Sequence, residues 1–225
     1  MFDEPAFEHL RVHTHIYLIS PLDVSGDFPD RLARALDAPA NSHHRVAAFQ
    51  FRVKGVDEHE AARLAEPLQR ICESHEVAFI VNDSISLAKR LGADGVHLGQ
   101  GDMERDGDVA LARKELGREA QIGVTCHGSK HLAVEAGEAG ADYVAFGAFY
   151  PTTTKEVEHT AEPEVLTWWQ TLFEIPCVAI GGITAENVAP LVQAGADFIA
   201  VCGAVWNGDE AANVVALAEA IAKAS

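Results

Sequence analysis

The sequence predicts an α/β chain folded as a (β/α)₈ TIM barrel, and three observations carry that expectation. The first is an internal repeat. Gly92-Ala93-Asp94, Gly140-Ala141-Asp142 and Gly195-Ala196-Asp197 each precede a short apolar run that ends at Gly99, Gly147 or Gly203. In each copy a helical stretch runs into a glycine, where a left-handed C-cap is cheap, and then into a strand. The spacing between copies leaves room for two strand–helix units. The second observation is that the strands are continuous apolar runs, as a parallel sheet covered on both faces requires. The third is size: 225 residues, 48% of them hydrophobic, suit one compact barrel, for which ~250 residues is typical. No G-x-G-x-x-G follows the first strand, which argues against an open doubly wound sheet.

The elements follow from these anchors. Strands are expected at His15–Ser20, Val46–Val53, Val77–Val81, Gly95–Leu98, Gln121–Val124, Tyr143–Phe146, Cys177–Ile180 and Phe198–Val201. Helices are expected between them, among others at Glu58–Ser74, Lys130–Ala139, Ala185–Ala194 and Ala211–Ala224. Residues 1–225 read as one domain without a linker, with 1–12 as an N-terminal extension.

Charge and cysteine usage narrow the function classes. Seventeen Lys and Arg against 34 Asp and Glu leave a net charge of −17, which should repel nucleic acid and anionic lipid surfaces. No run approaches the ~18 consecutive apolar residues of a membrane span. The first ten residues carry three acids and no basic region, unlike a secretory signal. Cys72, Cys126, Cys177 and Cys202 form no C-x-x-C pair, and the first three lie in apolar or strand-like context. A reduced, cytoplasmic protein acting on small molecules is the expectation.

A barrel builds its active site from the loops at the C-terminal ends of its strands. Strand 2 ends Gln50-Phe51-Arg52-Val53-Lys54-Gly55, and alternation puts Gln50, Arg52 and Lys54 on one side. Two cations and an amide there make a diphosphate clamp. Asp83 after strand 3 and Asp102 after strand 4 share the same rim. Two carboxylates with substrate phosphates are a usual way to hold Mg²⁺, although Asp83 could instead cap the next helix and Asp102 could close a turn. After strand 6 come Thr152, Thr153, Thr154 and Lys155, and after strands 7 and 8 come Gly181-Gly182 and Gly203, where many barrels bind a monophosphate. His127, after strand 5, reads equally as an acid/base or a loop histidine. His13 and His15 have H-x-H spacing but lie at the stability end of the barrel, which argues against a zinc hydrolase. His43 and His44 read as exposed loop. Trp168 and Trp169 read as packing or as an oligomer contact. With no serine or cysteine nucleophile in a motif, metal-assisted departure of diphosphate is the reaction class these residues support.

These residues, in this order, resemble the thiamine-phosphate synthase family. The motifs are Q-F-R-V-K-G at 50–55, V-N-D at 81–83, A-D-G-V-H-L-G-Q-x-D at 93–102, G-x-F-Y-P-T-T-T-K at 147–155 and I-G-G-I-T at 180–184. The match runs from Tyr17 to about Asn207. The resemblance implies a (β/α)₈ barrel that joins a hydroxymethylpyrimidine diphosphate to a thiazole phosphate, or its carboxylated form, releasing diphosphate. It further implies that Gln50, Arg52, Lys54, Asn82, Thr125 and Lys155 hold the pyrimidine diphosphate, with Arg52, Lys54 and Lys155 serving catalysis. Asp83 and Asp102 would bind Mg²⁺, and Thr152, Thr154, Gly182, Cys202 and Gly203 would surround the thiazole phosphate. Thr125 and Gly203 each stand where the family commonly has Ser, and Ala148 where it commonly has Pro. A second reading on the same barrel is a metal-independent thiazole tautomerase using His127.

Overall fold

Eight parallel strands, β1 (His15–Ile19), β2 (Val46–Phe51), β3 (Ala78–Asn82), β4 (Gly95–Leu98), β5 (Gln121–His127), β6 (Tyr143–Phe146), β7 (Cys177–Ile180) and β8 (Phe198–Val201), hydrogen-bond in sequence order and close on themselves. β8 pairs back onto β1, with His15 opposite Phe198 and Leu18 opposite Val201. The computed structural model describes residues 13–38, 44–100, 107–152 and 160–225. The helices among them are α1 (Phe28–Leu36), α2 (Glu58–Ser74), α3 (Ile85–Leu91), α4 (Val109–Leu116), α5 (Lys130–Glu138), α6 (Glu164–Leu172), α7 (Ala189–Gln193), the single-turn α8 (Gly203–Trp206) and α9 (Glu210–Ala224). None is long and apolar enough to cross a membrane.

Local sequence explains where the helices start. Asp57, Ser84, Asp108, Ser129 and Asp209 each accept a hydrogen bond from the backbone N–H three residues on, satisfying a donor the helix itself cannot. Asp83, expected as a candidate cap, is not one; Ser84 takes that place. α7 is shorter than the expected 185–194, because residues 184–187 close a turn through the Asn187 side chain.

Apolar side chains fill two layers. Leu18, Phe49, Phe79, Val124, Leu166, Trp169 and Leu217 belong to the shell between barrel and helices. Tyr17, Ile19, Ile80, Tyr143, Ala145, Val178, Phe198 and Ala200 fill the lumen. Strand side chains alternate between these layers, so each run must be apolar throughout. Trp169 is fully buried against Phe146 and Phe173, and Trp168 packs beside it under the Lys130 ammonium, which satisfies the packing reading of the pair.

The repeated aspartates do their work at the base of the barrel. Asp94 accepts from the Phe79 N–H at 2.7 Å, Asp142 from Ile122 N–H at 2.7 Å and Asp197 from Cys177 N–H at 2.8 Å. Each carboxylate therefore stands before an even strand and ties down the first turn of the odd strand preceding it. Arg113 and Gln170 hold two of these carboxylates from outside, at 2.6 Å and 2.5 Å. At the first strand pair the corresponding contact is an imidazole: His44 Nδ1 lies 2.9 Å from the Thr14 carbonyl. His44 is buried, not exposed as the sequence led one to expect, because this bond draws it into the base.

The helical ring closes through Glu210. Its buried carboxylate meets Arg31 at 3.3 Å and Arg34 at 2.6 Å, linking α9 to α1. Burial alone would raise this carboxyl. Hydrogen bonds from Arg34, its own N–H and Arg31 outweigh that and hold it below the ordinary value near 4.5. The stabilisation is therefore present above pH 4.5 and lost as pH falls through the lowered value. Glu210→Gln is expected to cost about 1–3 kcal/mol at pH 7, between an exposed and a fully buried pair. Denaturant melts at pH 7 and pH 3 check it: the gap between variant and wild type should shrink in acid.

Candidate active site

The C-terminal mouth of the barrel gathers polar groups that the apolar strands deliver one by one. Ser20, directly after β1, is completely buried, and its hydroxyl holds the backbone beyond β2 from both sides. It accepts from the Arg52 N–H at 2.8 Å and donates to the Arg52 carbonyl at 3.1 Å. Arg52 is half-buried, and its Nη1 is out of solvent without a hydrogen-bond partner among the described residues. A buried guanidinium nitrogen left in that state costs free energy until an anion meets it. The neighbouring Cys202 donates to the Ser20 carbonyl at 3.6 Å. Burial raises its thiol more than the Arg52 charge lowers it, which favours the neutral thiol over the thiolate.

The three residues expected on one side of strand 2 sit at three depths. Gln50 is buried in the lumen, with Nε2 donating to the Tyr17 hydroxyl at 3.2 Å. Arg52 stands at the rim and Lys54 is exposed beyond it. The strand ladder stops at Phe51, two residues before the expected end, so the alternation that would align all three stops there too.

Asn82 ends β3 and donates to the Asp83 carboxylate at 2.5 Å. Asp83 has φ +65°, a left-handed conformation that costs a non-glycine residue roughly 1 kcal/mol or more. Its N–H donates to the His97 carbonyl at 2.8 Å, which fixes this bend. With Ser84 doing the capping, the Asp83 carboxylate faces the rim region half-buried and held by Asn82. A recess of about 180 Å³ lies beside it, lined by Phe51, Val53, Val56, Glu58, Asn82 and Ser84. Asp102, Thr154 and Lys155 lie outside the described residues.

Across the mouth, Thr125 accompanies a bulge in β5. The β5–β6 register skips Cys126, so Thr125 pairs with Ala145 and His127 with Phe146. The bulge re-aims both side chains, and His127 takes φ +52°. Thr125 Oγ1 lies 2.8 Å from His97 Nε2, and the Gln100 amide donates to the Thr125 carbonyl at 2.7 Å. At the far side the β6 and β7 loops touch backbone to backbone. A Cβ on Gly182, which has φ +64°, would come within 2.4 Å of the Pro151 carbonyl oxygen, so only glycine fits. Asn187 locks this loop, donating to the Gly182 carbonyl at 3.0 Å and accepting from the Thr184 N–H at 2.8 Å. Thr152 is half-buried on the adjoining loop, and Cys202 and Gly203 open α8 after β8.

Expected residues Gln50, Arg52, Asn82, Asp83, Thr125, Thr152, Gly182, Cys202 and Gly203 thus lie within the last residues of barrel strands or in the segments after them, at one mouth. His13 and His15 lie at the opposite end, the first against the His44 ring and the second in the lumen against Phe198. Sequence reasoning missed Ser20, Asn187, His97, Tyr17 and Tyr143. For the last three, strand parity with Gln50 was the available signal.

Comparison with known proteins decides among the readings of this mouth. A family model described as thiamine monophosphate synthase matches residues 16–205. The chain belongs to the thiamine monophosphate synthase family. A thiamine-phosphate synthase of Erythrobacter litoralis is 66% identical over 95% of this chain and 98% of that protein. Another, of Rhodospirillum centenum, is 53% identical over 85% of this chain and 89% of that one. The solved thiamine phosphate pyrophosphorylase of Pyrococcus furiosus superposes with a TM-score of 0.80 at 26% identity, covering 96% of this chain and 98% of that structure. Membership in this synthase family makes the chain a transferase enzyme of the barrel class.

Proposed function

We propose that the chain couples 4-amino-2-methyl-5-hydroxymethylpyrimidine diphosphate to 4-methyl-5-(2-phosphoethyl)thiazole, giving thiamine phosphate and diphosphate, or to its carboxylated form, giving the same products with loss of the carboxylate as CO₂. The observation that carries it is the half-buried Arg52 guanidinium at the mouth, whose Nη1 is out of solvent without a partner among the described residues, in a chain of net charge −17. Such a group is stable in an acidic protein when an anion completes it. In the reaction, the bond from the pyrimidine methylene carbon to oxygen breaks and its electron pair leaves with the diphosphate. The aminopyrimidine ring stabilises the methylene cation, and the thiazole nitrogen lone pair closes the new C–N bond.

The residues divide along these lines. Arg52, Lys54 and Lys155 neutralise the departing diphosphate, and Gln50, Asn82 and Thr125 fix its position and that of the pyrimidine. Thr152, Thr154, Gly182, Cys202 and Gly203 surround the thiazole phosphate. Asp83 fits a hard divalent cation: it is an oxygen donor at the rim, released from capping and oriented by Asn82. With Asp102 it would hold Mg²⁺, which supplies charge neutralisation on the leaving oxygens. The four free cysteines agree with a cytoplasmic setting.

Purified protein given both substrates is expected to form thiamine phosphate, to stop when EDTA is added and to resume with excess Mg²⁺. Full activity in EDTA would overturn the metal assignment. Turnover of a thiazole tautomer without coupling would overturn the synthase reading in favour of acid/base chemistry at His127.

A further inference from the structure

A chain of hydrogen bonds crosses the barrel lumen beneath the mouth and joins five strands. The Gln50 amide of β2 donates to the Tyr17 hydroxyl of β1 at 3.2 Å. The Tyr17 and Tyr143 hydroxyls are 3.0 Å apart, although the residues are far separated in sequence. The Tyr143 hydroxyl of β6 lies 3.1 Å from His97 Nδ1 of β4, and His97 Nε2 lies 2.8 Å from Thr125 Oγ1 of β5. The His97 and Tyr143 rings also stack, with centroids 5.6 Å apart and planes 29° from parallel.

The donor order follows from the Gln50 end. Tyr17 is 2% exposed, and its hydroxyl bonds only to Gln50 and Tyr143 among the described residues. Since its oxygen already accepts from the Gln50 amide, its proton must go to Tyr143; the reverse order would bury a phenolic proton with no acceptor. The Tyr143 proton then goes to His97 Nδ1. Both phenols are raised above their ordinary value by burial and stay protonated throughout the working range. The backbone has been shaped for this: a Cβ on Gly123, the register partner of Tyr143, would lie 2.0 Å from the tyrosine Cζ and 2.4 Å from its oxygen.

We propose that Tyr143 is a positioning residue for the coupling reaction. By donating to Nδ1 it keeps His97 in the Nε2–H tautomer. His97 then donates to Thr125 Oγ1, and the Thr125 hydroxyl proton is left to point out of the lumen at the departing diphosphate. This rests on the synthase reading above. In the opposite tautomer Thr125 would spend its proton on the imidazole and offer the anion only lone pairs.

Nitrogen-15 spectra of the imidazoles, with His97 assigned by its absence in His97→Asn, read the tautomer directly. The unmodified protein is expected to show His97 protonated at Nε2; protonation at Nδ1 would overturn the proposal without any further variant. In Tyr143→Phe, which keeps the ring, Nδ1–H should become populated. Tyr17→Phe, which spares the Tyr143–His97 bond, should leave the tautomer as it is. In steady-state kinetics Tyr143→Phe should lower kcat about tenfold, the scale of one lost hydrogen bond, with KM for the thiazole phosphate unchanged. In a Thr125→Val background the same substitution should have no further effect on kcat. An equal loss in both backgrounds would make Tyr143 merely structural and overturn its positioning role. Unmodified protein that forms no thiamine phosphate would overturn the coupling reading itself, an outcome separate from coupling that is indifferent to Tyr143.

Discussion

Arg52→Ala is expected to lower kcat/KM for the pyrimidine diphosphate by about 10²–10³-fold, the scale of one or two charge-assisted hydrogen bonds removed from a partly dry site. The same variant should unfold at a temperature equal to or above that of the wild type. Its backbone stays clamped by the Ser20 hydroxyl, which bonds to the Arg52 N–H and carbonyl and not to its side chain. What the substitution removes from the free protein is a desolvated guanidinium nitrogen without a described partner, a cost and not a support. Kinetics and thermal melts on one preparation separate the two cases. A lower melting temperature with unaltered kinetics would make Arg52 a structural cation.

Gly123→Ala is expected to be among the most damaging small substitutions in the lumen. The added methyl would lie 2.0 Å from Tyr143 Cζ and 2.3 Å from Cε2, inside any permissible contact. The ring has nowhere to retreat: it is 1% exposed and lies between Tyr17 and the His97 ring. Overpacking of a filled core costs about 1–3 kcal/mol, and this clash should fall at or beyond the upper end. A small side chain in place of the ring should relieve it, so Gly123→Ala with Tyr143→Leu should melt above Gly123→Ala alone. If the second substitution makes matters worse, the clash is not the cause.

Much of this barrel was legible because its strands are buried on both faces. A run such as Tyr143–Phe146, too short for a helix and set between glycines, reads as a core strand, and the Gly-Ala-Asp triplets mark where such runs start. The ends were harder. Phe51-Arg52-Val53 continues an apolar alternation past the last ladder bond, since nothing in composition marks where the neighbouring strand stops pairing. α7 was overextended because Thr184 and Asn187 satisfy each other's backbone locally, a choice that helix propensity does not reveal. His44 looked solvent-facing until its carbonyl partner was known.

The site divides in the same way. Arg52, Asn82 and Asp83 could be picked out because a charged or amide side chain directly after an apolar strand has only the rim to occupy. Asp83 stood between two roles, and only the geometry of Ser84 relieves it of the capping one. Tyr17, His97 and Tyr143 were not recognised, because each is an unremarkable member of a strand and their significance lies in a meeting across the lumen. Ser20 acts through the backbone of another strand, which no local pattern records.

The aspartates at the base have a consequence for how this barrel can change. Asp94, Asp142 and Asp197 each lock the register of one strand pair from below, and His44 serves the first pair in their stead. Alignment of the strands is thereby decided at the end remote from the chemistry. The mouth carries less of the duty to hold the strands in step, so an exchange of hydroxyl for hydroxyl at Thr125, or a glycine at position 203, can change the contacts proposed for the substrates without letting a strand slip. Such a division lets the reaction be tuned by substitution while the frame stays where it was.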